Sequence, residues 1–133
     1  DYDHGTGHGV GSFLGVHQGV QRIGKGFLGA ELNEGMVLSN EPGYYKENSY
    51  GIRIENLILV KLSGSINGKE KSKMYEFETL TLVPIDKKLI DISILSQSEI
   101  NWINKYHEEV FKRISKYLGP KEKNWLIKAT SKL

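Results

Sequence analysis

The chain has 133 residues, 38% of them hydrophobic and 26% charged, a composition that builds one packed domain or a piece of a larger one. No stretch approaches the roughly 18 consecutive apolar residues that a membrane helix needs, and a net charge of +2 is too small to argue for nucleic acid. The absence of cysteine excludes disulfides and thiolate metal sites, so any metal must be held by histidine and carboxylates. The opening Asp1-Tyr2-Asp3-His4 has no initiator Met and no leader pattern, so the chain is expected to be a segment of something longer, with nothing that argues for export.

Residues 1–30 are glycine-rich and hold three of the four histidines. A first strand is expected over 36–41. It ends at Glu41, which the ring of Pro42 biases towards extended backbone. The clearest β signal is 51–62, where Ile52, Ile54, Ile58, Val60 and Leu62 fall on one face and Arg53, Glu55, Leu57 and Leu59 on the other. Residues 63–73 read as a polar loop projecting into water, and 74–83 as a third strand. A helix is predicted over 96–118, opened by a capping box of Ser96 and Glu99 with Leu95 stapled onto Ile100. Its buried stripe would be Ile100, Ile103, Tyr106, Val110, Ile114 and Tyr117, and Gly119-Pro120 would end it before a charged tail. The lysines of the second half (net +5 over 61–133 against −3 over 1–60) are not interleaved with aromatics, so they read as a solvated surface.

Four features could carry chemistry. In His4-Gly-Thr-Gly-His8-Gly-Val-Gly11 two histidines stand four apart, and glycines at 5, 7, 9 and 11 let the backbone pass close to something. By itself such spacing more often belongs to partly exposed histidines, and a phosphate cradle is disfavoured because no strand precedes the glycines and no P-loop lysine follows. His17 alone is uninformative. Glu41-Pro42-Gly43-Tyr44-Tyr45 puts a carboxylate at a strand end before a rigid turn, although it could be a turn and nothing more. Arg53 and Glu55 could be a plain surface ion pair. Together, one histidine and two glutamates make a mixed N/O donor set suited to Mn, Co, Fe or Zn, and carboxylates can bridge two such ions. Three ligands are too few for two metals.

The series HGTGHGVGSF, VH at 16–17, EGMVLSNEPGYY, YGIRIENLILV and FETLTLVPID resembles the pita-bread metallopeptidases, and among them the cytosolic aminopeptidase P branch. The resemblance implies an α+β fold: half of a curved, pseudo-symmetric antiparallel sheet with helices outside, over residues 1–91, followed by a helical extension over 92–133. It implies hydrolysis of the bond before a proline at position two of a peptide, assisted by two divalent ions, Mn²⁺ first and Zn²⁺ or Co²⁺ next. On this likeness His8, Glu41 and Glu55 are metal ligands, Glu55 bridging both ions and Glu41 also handling the proton of the attacking water. His4 would stabilise charge on the scissile carbonyl, and His4, His17, Arg53 and Tyr45 would contact substrate. The family's two aspartate ligands lie upstream of this motif, and neither Asp1 nor Asp3 matches them. The segment alone is therefore expected to be inactive without its N-terminal half. A cytoplasmic homodimer, with no nucleic acid or membrane partner, is the expected setting. Prolidase is the nearest enzyme rival. A non-catalytic pita-bread module that binds peptides or proteins is the rival of another class, and it would be expected to have lost the ligands retained here.

Overall fold

The computed structural model describes residues 1–13, 15–26, 30–65 and 73–133. Among them lie seven strands: β1 Gly7–His8, β2 Arg22–Ile23, β3 Val37–Asn40, β4 Gly43–Lys46, β5 Tyr50–Arg53, β6 Asn56–Ser65 and β7 Lys73–Thr79. Two α-helices follow, α1 Gln97–Ile114 and α2 Pro120–Ala129. The chain divides into two compact units, Asp1–Thr81 and Leu82–Leu133.

In the first unit β3, β6 and β7 form an antiparallel sheet in the order β3-β6-β7. Its register sets Leu38 opposite Ile58 and Val60 opposite Phe77. Leu38, Ile58 and Val60 are buried and form the core, with Ile23, Leu32 and Met36 packed against them. The β1–β2 pair joins this sheet at β3 through an antiparallel bridge between Gly9 and Leu38. Two backbone hydrogen bonds flank the bridge, Val10 N–H to Val37 O at 3.3 Å and Glu41 N–H to Thr6 O at 2.7 Å. The approach is close enough that a Cβ at Gly7 would overlap the carbonyl oxygen of Ser39, and one at Gly9 the carbonyl oxygen of Gln18. Those two glycines are thus required by space. β4 and β5 make a hairpin whose turn places Asn48 at φ 53°, a left-handed conformation that asparagine tolerates.

The long strand expected over 51–62 is two strands. It breaks at Ile54-Glu55, so β5 pairs with β4 while β6 pairs with β3 and β7. The even-numbered face is divided accordingly: Ile58 and Val60 are in the core, whereas Ile54 and Leu62 are exposed. Of the expected polar loop, Ser63 to Ser65 extend β6 past a register shift and Lys73 opens β7; residues 66–72 lie outside the described residues. The strand expected over 74–83 stops at Thr79. Beyond it Leu57 N–H donates to the Thr81 hydroxyl, which takes the place of a ladder partner.

In the second unit α1 opens with the expected capping box: Glu99 N–H donates to Ser96 Oγ at 3.3 Å and Ser96 N–H to Glu99 Oε2 at 2.8 Å. Its buried face carries Ile103, Tyr106, His107 and Val110, and Leu126 of α2 completes the core with Tyr106 and Val110. Tyr117 is exposed, against expectation, because residues 115–117 tighten into a 3₁₀ turn that shifts the helical phase. The expected charged tail is α2, for which Pro120 at the first position supplies the preset φ that a helix start needs. Leu82 to Ile85 run without regular structure along α1. The Tyr106 hydroxyl donates to Val83 O at 2.8 Å and accepts Val83 N–H at 3.3 Å. His107 Nε2 accepts Ile85 N–H at 3.0 Å. His107 is wholly buried, its Nδ1 has no hydrogen-bond partner among the described residues, and burial followed by the nearby Lys87 charge holds its pKa below the usual histidine value.

Candidate metal centre

The residues singled out by sequence fall into two contact groups. Glu41 is the hub of the first. It follows β3 directly, held by its own N–H on Thr6 O, and its carboxylate is largely buried. Oε1 lies 3.1 Å from Nε2 of His8, the last residue of β1. Oε2 accepts from Arg53 Nη1 at 3.1 Å, and the same guanidinium places Nε 3.4 Å from Oε1 of Glu55. The rings of His8 and His17 lie 4.2 Å apart between centroids. One line therefore runs His17, His8, Glu41, Arg53, Glu55.

The second group is His4 with Tyr45. His4 Nδ1 bonds to Gly5 O at 2.8 Å and Nε2 to the Tyr45 hydroxyl at 2.5 Å. Tyr45 reaches it by lying flat on its hairpin: a Cβ at Gly43, or at Gly51 opposite, would come within 2.7 Å of ring atoms. On the other side the Tyr2 ring sits 4.7 Å from that of His4, and the Tyr2 hydroxyl shares a 2.8 Å hydrogen bond with the Thr6 hydroxyl.

Sequence reasoning missed Ser39. Its hydroxyl accepts His8 N–H at 3.0 Å and donates to Glu41 Oε1 at 2.9 Å. The signal was available, since Ser39 precedes Glu41 by two residues on an extended segment and so shares its face.

Among the described residues no group of three or more His, Asp or Glu is already gathered tightly enough to hold an ion. His8 and Glu41 nevertheless fit one. His8 Nδ1 donates to Gly9 O at 2.9 Å, so Nε2 is the nitrogen that faces the carboxylate oxygen. Two acceptors at that distance need a cation between them, whether a proton or a metal. Arg53 occupies the corresponding place between Glu41 and Glu55. An imidazole and two carboxylates with no sulfur suit a divalent ion such as Mn, Co, Fe or Zn.

Two family models match the chain, "Metallopeptidase family M24" over residues 1–61 and "C-terminal region of peptidase_M24" over 73–133. It is 45% identical to a probable Xaa-Pro aminopeptidase P of Coprinopsis cinerea, with 98% of this chain and 22% of that protein aligned. It is 44% identical to aminopeptidase P2 of Arabidopsis thaliana, covering 100% of this chain and 19% of that one. A crystal structure of X-prolyl aminopeptidase from Caenorhabditis elegans, described as a cytosolic enzyme with a di-nuclear active site, superposes with a TM-score of 0.84 at 41% identity. That match covers 100% of this chain and 22% of the neighbour, so the chain spans about one-fifth of the length of these relatives. The strands and helices accord with the expected α+β part of a pita-bread fold. With each half matched by a model of the same family, the chain belongs to metallopeptidase family M24.

Proposed function

We propose that the chain is the C-terminal part of a catalytic domain that removes the N-terminal residue preceding proline. The observation that carries this reading is the line His8–Glu41–Arg53–Glu55, which aims an imidazole and two carboxylates at neighbouring positions. The names of the relatives, all aminopeptidases, support it over a prolidase or a binding module. His8, Glu41 and Glu55 would hold two divalent ions, Mn²⁺ by our reading, with two aspartates from outside residues 1–133. Such a pair supplies Lewis acidity and a water that is readily deprotonated near neutral pH.

The chain's own residues do the rest. Glu41, whose Oε2 accepts from Arg53, would take the proton of the attacking water and return it to the leaving proline nitrogen. His4, whose Nε2 bonds to the Tyr45 hydroxyl here, would exchange that partner for the oxygen on which negative charge develops, a role for which one donor is often worth about 3 kcal/mol. His17, beside His8, contacts the substrate around the scissile bond. The setting we propose is a cytoplasmic homodimer. It is supported for location by the cytosolic description of the C. elegans neighbour.

The test is Glu55→Gln in the intact protein that carries this chain, assayed with Mn²⁺ on a peptide with proline second. Metal content should fall and turnover drop by about 10²-fold or more, with circular dichroism unchanged. Near-normal cleavage by the variant would exclude the bridging role of Glu55.

A further inference from the structure

Ser39 stands where two candidate ligands meet. Its hydroxyl accepts the backbone N–H of His8 at 3.0 Å and donates to Oε1 of Glu41 at 2.9 Å, and that same oxygen faces His8 Nε2 at 3.1 Å. The contacts close a ring: His8 N–H, Ser39 Oγ, Glu41 Oε1, His8 Nε2. A hydroxyl has one proton to give and two lone pairs to accept with, so it makes both bonds at once. Alanine and valine offer neither.

The surroundings turn these bonds into a fixed distance. Ser39 lies in β3 against β1, at the point where a Cβ on Gly7 would overlap its carbonyl oxygen. Glu41 N–H on Thr6 O and the Gly9–Leu38 bridge hold the same two segments on either side. Arg53 takes the other carboxylate oxygen. Both oxygens of Glu41 are thereby oriented by the protein, and without Ser39 only His8 among the described residues would remain on Oε1.

Resting on the metallopeptidase reading above, we propose that Ser39 is a positioning residue. It sets the orientation of the Glu41 carboxylate and its distance from His8, and acts on metal binding and turnover only through those two side chains. The test compares Ser39→Ala, Ser39→Val and Ser39→Thr in the intact protein. Mn²⁺ affinity of the metal-free protein is measured by titration calorimetry, and kcat and KM are measured on a peptide with proline second. Loss of the hydroxyl should weaken Mn²⁺ binding and lower kcat by about 10- to 100-fold with KM unchanged, whereas Ser39→Thr should restore both. Should the alanine variant fail to fold, the Thr/Val pair decides, since the two differ by the hydroxyl alone at equal shape. Val behaving as wild type, or Thr as impaired as Val, overturns the positioning role while the function stands. A wild-type protein that neither binds Mn²⁺ nor cleaves the peptide overturns the functional reading, and the role of Ser39 with it.

Discussion

In residues 1–81 the buried hydrophobic core among the described residues is Leu38, Ile58 and Val60, and the polar side chains of the site are placed by how closely backbones pass. In residues 82–133 the order is reversed: side chains of one helix, Tyr106 and His107, grip the backbone of an irregular segment, and Ile103, Val110 and Leu126 are buried beside them. The contrast follows from what each unit must hold. Strands fix neighbouring backbones at hydrogen-bond distance, so a short side chain such as Ser39 or Glu41 inherits that precision. A helix presents long side chains from one face, which suits packing and the capture of a neighbouring chain segment.

The largest way to break this contrast is Gly7→Ala. The new methyl would strike the Ser39 carbonyl oxygen, a backbone atom, with Ser39 C at 3.1 Å and Ile23 Cδ1 at 3.3 Å. Relief requires β1 to move off β3, so the cost should reach about 3 kcal/mol by chemical denaturation. The His8–Glu41 pair should be lost with it, and unchanged stability would show that the strands are not so closely set.

A smaller effect tests the second unit through pH. The folded pKa of His107 lies below its ordinary value of 6.5 because the ring is buried, so the unfolded chain binds the proton more readily. Stability is therefore full above that value and falls as pH drops from it towards the folded pKa, with Ile85 N–H losing its acceptor on protonation. His107→Gln, which keeps an acceptor and cannot titrate, should flatten this dependence in melts between about pH 5 and 8. An equally steep slope in the variant would assign it elsewhere. The smallest effect is Ser96→Ala, which removes the N-cap of α1 and should cost about 1 kcal/mol. A loss confined to this amount would separate helix capping from the core that α1 makes with Leu126.

The parts of the molecule legible in the sequence were those whose cause is local. Ser96 and Glu99 announce the helix start because their hydrogen bonds span three residues. The seven candidate site residues were singled out by their chemistry and the resemblance, and the structure brings them into two contact groups. What was missed depends on distant partners. The break at Ile54-Glu55 exists because β5 pairs with β4 while β6 pairs with β3, a choice that alternation within 51–62 cannot record. Beyond the strand end at Thr79, the Thr81 hydroxyl takes Leu57 N–H, and Val83 is held by a hydroxyl 23 residues away on Tyr106. Charged residues at 121–123 hid α2, although Pro120 was its start signal as well as the previous helix's stop.

Tyr45 carries a consequence for how this site can vary. Its ring occupies the space that side chains at 43 and 51 would fill, and its hydroxyl ends on His4. Substituting either glycine displaces the ring and removes the partner of His4, while replacing Tyr45 with a small residue opens room at both glycines. The three positions are thus sterically coupled and are expected to vary together. A lineage that gives up the aromatic ring releases both glycines from constraint, and one that keeps it must retain all three together.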